Sequence, residues 1–341
     1  MFRCLQDERE RHMTSIRDVA REAGVAISTV SKVLNNYPNV SQETKDKVED
    51  AVRKLHFVPN AAASTLSSKQ PDRVAVIINS SETSRLRDEI NMQYISGAIT
   101  SARSLGTDVC VLFSYMAESR SLEEMIQYLR TQNIGGIVVC TLDRTQLKLM
   151  ALIESGTFPT VVIDAPFTGE RISSISIDNR QAQYDVASKM ITGTSRRSIL
   201  YIAGGDEGYV TEDRLNGIRA LAREKKLRLM VRNGHFSEKQ ARTITKKYAP
   251  DYDAIVCASD MMAIGAMREL IEMDIFRPVS GFDGLSVMGY AGKQMFTVKQ
   301  DFSGIAAEAM REEKRLMSGA HGRKIVMPYR LARITYEDVI E

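Results

Sequence analysis

Hydrophobic residues up to residue 58 recur at the three- and four-residue spacing of amphipathic helices, and from Asp72 onward they gather into short β-rich runs. Residues 14–58 predict three short helices. In SIRDVAREAG, Ser15 caps the first, Asp18 returns the capping contact, Ile16, Val19 and Ala20 form the apolar face, and Gly24 stops it. A second helix follows three residues later. Its sequence, VAISTVSKVLN, puts Val30, Val33 and Leu34 on one side and leaves Ser28, Thr29, Ser31 and Lys32 for the surface. The NNYP run at 35–38 predicts a turn. Ser41 caps a third helix in which Val48, Val52 and Leu55 share a face, and Pro59 ends it.

Beyond Asp72 the runs RVAVIIN, TDVCVLF, GGIVVC, PTVVID, ISSISID, RSILYIAG, DAIVCAS and RPVSGFD are separated by helix-length segments, the pattern of parallel doubly wound sheets. Those strands are too many for one small sheet. Two similar α/β lobes fit the length, with a ligand expected in the cleft at the carboxyl ends of their strands. The alanine-rich stretch NAAASTLSSK, residues 60–69, is too short to be a stable helix alone, since isolated helices below about 12 residues are marginal in water.

The composition narrows the class. A chain of 341 residues with 43% hydrophobic and 26% charged residues has room for two or three compact units and the balance of a soluble globular protein. No apolar run approaches the roughly 20 residues needed to span a bilayer, and the start MFRCLQDERERHM lacks the apolar core of a secretory signal, so a cytoplasmic address and no membrane partner are expected. Cys4, Cys110, Cys140 and Cys257 are scattered without metal-ligand spacing, which points to reduced cysteines packed as small hydrophobes and to no metal. A formal net charge of +3 is too mild to establish nucleic-acid binding, so that inference must rest on local pattern.

Two helices joined by a tight turn, the second exposing short polar side chains, match the helix-turn-helix geometry that sets a recognition helix in the major groove. Lys32 suits guanine O6 or N7, and Ser28 and Thr29 suit base edges or phosphates. A three-helix packing module is the plainer alternative. In the 60–69 stretch, small residues around Leu66 suit a minor-groove wedge, against the alternative of a flexible linker.

IRDVAREAGVAISTVSKVLNN, VSQETKDKVEDAVRKL and FVPNAAASTL, in this order and spacing, resemble the head of the lactose-repressor/galactose-repressor family. RLNGIRAL, ASDMMAIGAMREL, GFDG and TVKQDF resemble that family's effector domain, so the likeness covers nearly everything after residue 13. It implies an all-α helix-turn-helix head followed by an α/β two-lobed, periplasmic-binding-protein-like effector domain. The divisions expected are an extension at 1–13, the head at 14–59, a hinge helix at 60–70, and an effector and dimerisation domain at 71–341. Within the last, one lobe takes about 71–177 and 302–327, and the other about 178–301 and 328–341.

The resemblance further implies a homodimer on a pseudo-palindromic duplex operator, with paired hinge helices that order on specific DNA. Ile27, Ser28, Thr29, Ser31, Lys32 and Asn35 are then the residues of the head placed at DNA. In the hinge, Asn60 is the cap, Ala63 a close-contact position, and Leu66 the intercalating lever. The head also departs from the family pattern. Ala26 replaces a serine that caps the recognition helix and meets phosphate, and Lys32 replaces a more frequent arginine, trading a planar fork for a point charge. Ile27 and Ser28 fall at positions that vary between members and help select the operator.

In the effector domain the resemblance places Arg214 where an arginine forks onto ligand hydroxyls or a carboxylate, and Asp164 and Asp283 at acidic strand ends suited to vicinal hydroxyls. Phe236 and Phe302 fall where aromatics stack on a sugar ring, and Ser259 and Asp260 at a strand-to-helix junction beside the same cleft. Each has a structural alternative: Arg214 bridging lobes, Asp260 capping the following helix, Phe302 in the core. His235 reads as a solvated loop residue. Residues 80–97, SSETSRLRDEINMQYISG, depart from the family's short loop and leave that lobe's ligand contacts unassigned.

No nucleophile elbow, phosphate-binding loop or zinc pair appears, so no enzyme and no cofactor are expected beyond a small effector, a sugar or sugar derivative. The expected function is a transcription regulator, a repressor by preference, whose grip on DNA shifts as the effector closes the cleft between Arg214 and Asp283. A sugar-binding receptor without specific DNA binding is the second reading, and a sugar-metabolising enzyme fused to a DNA-binding head a third. After PYRLARITYEDVIE no heptad-rich tail follows, so a dimer rather than a coiled-coil tetramer is expected in sedimentation.

Overall fold

The computed structural model describes residues 14–34, 37, 39–55, 57, 72–79, 88–291 and 294–335. The chain divides into two compact units, Met1–Pro71 and Asp72–Glu341.

The first unit holds α1 (Ile16–Ala23), α2 (Ile27–Leu34) and α3 (Gln42–Lys54). Ser15 and Asp18 form the reciprocal capping box, and Gly24 closes α1 at φ 65°, a left-handed conformation that a side chain would resist. The Ser41 side chain accepts from the Thr44 N–H to start α3, which stops at Lys54 with Leu55 as its cap, ahead of Pro59. Val19, Val30, Val33, Val48, Ala51 and Phe57 form the core, with Leu34, Val52 and Leu55 packed against it.

In the second unit β1 (Arg73–Ile78), β2 (Asp108–Phe113), β3 (Ile134–Cys140), β4 (Thr160–Ile163), β5 (Ile172–Ile177) and β11 (Lys324–Met327) form one sheet in the order β11-β5-β4-β3-β1-β2. The other, ordered β12-β10-β9-β8-β6-β7, contains β6 (Ser198–Ala203), β7 (Arg228–Asn233), β8 (Ala254–Cys257), β9 (Val279–Ser280), β10 (Phe296–Lys299) and β12 (Arg330–Arg333). All pairings are parallel except β10 with β12. Strands covered on both faces must be apolar throughout, which is why RVAVII, IGGIVV, TVVI, SILYIA and AIVC read so clearly in the sequence. The edge strands β7, β11 and β12 bury little, and β10, FTVK, alternates apolar with polar residues, so none left a comparable run.

The chain passes between the sheets after β5, after β10 and after β11. The helix Phe302–Met317 therefore packs on the first sheet although it follows a strand of the second. Its apolar residues join a core that also takes in Ala182, Val186, Phe282 and Val298 from the second lobe. Cys140 and Cys257 are buried and Cys110 half-buried, and burial pushes the Cys140 and Cys257 thiols up. No helix among the described residues is long and apolar enough to cross a membrane.

Glu313 on this helix is fully buried against β3, and neither carboxylate oxygen has a hydrogen-bond partner among the described residues. Glycine at 136 leaves room for that carboxyl, which a Cβ there would overlap unless the Glu313 side chain moved. Desolvation, reinforced by Glu312, pushes Glu313 well above its ordinary 4.5. With the folded value raised, the stability associated with the neutral carboxyl is present below the unfolded value and lost as pH rises toward the folded one. Glu313→Gln, neutral at every pH, is expected to gain thermal stability over the parent progressively as pH rises above about 4.5. Parallel melting curves across that range would refute the burial of an uncharged Glu313.

Candidate functional site

The first unit presents one polar helical face. Ile27, Ser28 and Lys32 are exposed on α2, Ser31 and Thr29 are half-buried, and Val30 and Val33 point into the core. The helix begins on the Ala26 carbonyl, which accepts from the Thr29 and Val30 N–H groups at 2.9 and 3.1 Å. Alanine brings no side-chain acceptor to that end. Ile27, 45% exposed, is absent from the core that collects the unit's other described Val, Ile and Leu side chains. Asn35, Asn60, Ala63 and Leu66 lie outside the described residues.

In the second unit a cleft of about 650 Å³ opens between the sheets at the carboxyl ends of their strands. It is lined by Asp164, Arg214, Phe236, Ser259, Asp283 and Phe302, all expected from the sequence. Each has a local reason to be there. Asp164 follows β4 at φ 61°, with its N–H on the Ile175 carbonyl. Asp283 follows β9, with its N–H on the Val298 carbonyl at 2.9 Å. Phe236 follows β7 at φ 54°, and its ring lies where any side chain at Gly204 would stand, so the glycine gives the ring its place. Phe302 opens its helix and meets Tyr94 edge-on at 5.3 Å.

Arg214, 4% exposed, is held on several sides. Its Nε donates to Asn179 Oδ1 at 2.9 Å and Nη1 to the Ala258 carbonyl at 2.6 Å. Nη1 lies 3.7 Å from Asp283 Oδ1, and the guanidinium carbon stands 3.7 Å from the centre of the Phe282 ring. Burial raises the Asp283 carboxyl while Arg214 opposes the rise. Asp164 is pushed up to about 6 by burial, against the pull of Arg214 and Tyr94.

Asp260 does not line the cleft. It is fully buried one layer behind, where Oδ2 accepts from the Gly284 and Leu285 N–H groups, each at 2.7 Å, and Oδ1 from the Thr297 hydroxyl at 2.6 Å. It braces the loop that carries Asp283. The helix cap expected of Asp260 is supplied by Ser259, whose Oγ accepts from the Met262 N–H. His235 is exposed at the rim.

Further lining residues were not singled out in the sequence: Asn79, Asn91, Tyr94, Asp143, Tyr209 and Gln300. Gln300 sits in the quoted TVKQDF run, and its Nε2 reaches Asp283 Oδ1 at 3.3 Å. Tyr94 sits in the divergent 80–97 segment, where no pattern marks it. The Tyr94 hydroxyl and Asp164 Oδ1 are buried near one another, and with Gln300 Oε1 they make no hydrogen bond of full geometry among the described residues. Polar atoms left so are costly, and the residues that carry them also line a cleft with aromatic walls. Among the described residues no three His, Cys, Asp or Glu side chains gather as a metal site.

A helix-turn-helix head and a two-lobed domain with a polar, aromatic-walled cleft, carried on one chain, define a two-part transcription regulator. The family model for bacterial regulatory proteins of the lacI family matches residues 15–60, and that of a periplasmic binding protein domain matches residues 75–321. The chain belongs to the lacI family of bacterial regulatory proteins. It is 28% identical over 334 residues to catabolite control protein A of Staphylococcus aureus (strain MRSA252), covering 93% of this chain and 97% of that one. The protein of the same name from Staphylococcus xylosus is 27% identical over the same coverage.

Among solved structures, a lac repressor dimer bound to operator and the anti-inducer ONPF has a TM-score of 0.79 at 24% identity, covering 94% of this chain and 98% of that one. A complex of the transcriptional regulator CelR with cellobiose has a TM-score of 0.67 at 24% identity, covering 94% and 99%. These likenesses describe the fold.

Isotope-edited carboxyl resonances are expected to place the ligand-free Asp164 midpoint at about 6. A midpoint near the ordinary 3.8 would mean that its carboxylate is solvated.

Proposed function

We propose that this chain is a sequence-specific DNA-binding repressor, working in the cytoplasm as a homodimer, whose operator affinity is set by a sugar or sugar derivative bound between its lobes. The observation that carries this reading is one cleft lined by Asp164, Arg214, Asp283, Gln300 and aromatic side chains, in a chain that also carries an exposed recognition-type helix. Carboxylates accept from sugar hydroxyls, Arg214 donates, and Phe236, Phe302 and Tyr94 offer faces or edges to the apolar side of a sugar ring. The names of the relatives point the same way: one solved neighbour is bound to operator, another to cellobiose. Ser28, Ser31 and Lys32 are the polar groups offered to DNA, with Ile27 beside them.

Self-association is favoured by exposed apolar side chains along one edge of the first sheet. Met92 and Ile99 stand seven residues apart on the helix Asp88–Leu105, and Phe113 stacks on Tyr115 at 6.0 Å at the end of the edge strand β2. No turnover is assigned to the cleft, and a sugar panel incubated with the protein is expected to return unchanged.

Selection from a randomised duplex library, with and without pools of sugars, sugar phosphates and sugar acids, tests the whole reading. A palindrome should be enriched, and one pool should alter its retention. Enrichment of no sequence under any condition would favour a sugar receptor without specific DNA binding. With the active sugar in hand, Arg214→Lys should weaken its binding by about tenfold or more, because a single ammonium cannot reproduce the guanidinium fork. Binding should also weaken as pH falls below about 6, since protonation removes the Asp164 acceptor, and Asp164→Asn should lack that step.

A further inference from the structure

The turn after β3 in the first lobe and the turn after β6 in the second meet directly. The Arg144 N–H donates to the Glu207 carbonyl at 2.9 Å, and Asp143 and Gly208 form an isolated antiparallel bridge. From the same residue, Nη1 donates to the Asp206 carbonyl at 3.0 Å and to the Gly208 carbonyl at 3.3 Å. The guanidinium carbon stands 4.4 Å above the Tyr209 ring, and Nη2 lies 3.7 Å from Glu212 Oε2. Tyr209, on the second lobe, in turn sets its ring edge-on against Phe167 of the first at 5.1 Å.

Both turns are stiff by themselves. The first is fixed by Asn79, whose Nδ2 donates to the Thr141 carbonyl and to Asp143 Oδ2, and by Gln146, which accepts from the Asp143 N–H. The second is fixed by the Thr211 hydroxyl and the Gly208 N–H, both donating to the Gly205 carbonyl. Two preformed turns lose little further freedom when they join, so the contacts between them count toward holding the lobes together. Asp143, Thr145, Glu207, Gly208 and Tyr209 line the cleft, whereas Arg144 does not. Every contact above is made within the chain itself.

We propose that Arg144 is a latch that holds the two lobes closed at the margin of the cleft before any effector binds, and so sets effector affinity without touching the effector. Arg144 is a positioning residue: it biases the arrangement of the lobes that presents Asp164 and Asp283 together. An effector then shifts a balance already weighted toward closure, and its influence on the lobes is what remains after the latch has acted. The effect on affinity rests on the reading of the cleft as an effector site. The closure itself does not.

Amide hydrogen exchange on the full, ligand-free chain decides the closure. The Arg144 amide, which donates across the lobes, is expected to be protected in the parent and to exchange about tenfold faster in Arg144→Ala. Protection in β3 and β6 should be unchanged, which separates opening of the lobes from loss of fold. Arg144→Lys, which keeps the charge but loses the planar contact with the Tyr209 ring and the second nitrogen near Glu212, should fall between them. An unprotected Arg144 amide in the parent, or equal exchange in parent and Arg144→Ala, overturns the latch. In the second arm, Arg144→Ala should weaken binding of the active sugar pool by about tenfold with the unfolding midpoint unmoved. If exchange behaves as expected and no pool binds either protein, the effector reading fails and the latch stands. If exchange behaves as expected and both proteins bind equally, the latch does not set affinity and that part of the proposal fails.

Discussion

A guanidinium out of water is tolerable only where its donors and its charge are met, and Arg214 meets that demand by gathering parts of the second unit that are distant in sequence. Asn179 opens the first helix after a crossing between the sheets, Ala258 follows β8, and Phe282 and Asp283 follow β9. Removing the arginine would leave the Asp283 carboxylate and the Ala258 carbonyl in a dry interior, so the geometry of the cleft and the packing beneath it share one charge. Asp260 extends the same arrangement one layer deeper, holding the 284–285 backbone so that Asp283 keeps its place.

Parallel sheets explain why these groups converge. The carboxyl ends of β4, β7, β8 and β9 open on the cleft, so Asp164, Phe236, Ser259 and Asp283 stand there for one topological reason. The three crossings make each lobe depend on chain from the other, and Phe302 sits where the second crossing delivers a new helix into the first lobe's core. Two lobes joined in this way change their relative arrangement more easily than their internal packing. Arg144 acts on the first of these and Glu313 bears on the second, which places a tunable contact at the rim and a desolvated, uncharged carboxyl within the fold.

Local signals survive translation into structure when the interaction they predict is itself local. Ser15, Asp18 and Gly24 specified the limits of α1 because a capping box and a left-handed stop involve residues three to nine apart. The buried strands were legible because both faces of a central parallel strand need apolar side chains, whereas β7, β10, β11 and β12 left no such run. The same reasoning misassigned the helix cap at 259–260. Both residues suit an N-cap, and Asp260 was taken up by Gly284, Leu285 and Thr297, partners that no neighbouring sequence announces.

By itself the sequence determined the three-helix head and the alternating α/β body, because propensity, capping and period are properties of adjacent residues, and its resemblance to a known family placed the acidic and aromatic residues of the cleft. The tertiary structure alone decided that Tyr94 and Gln300 share a cleft with Asp164, that Asp260 stands behind it, and that Arg144 reaches across to Asp206 and Gly208. Those relations are set by where two sheets and three crossings deliver each side chain, and burial or hydrogen bonding between residues 24 or more positions apart carries no local period to read.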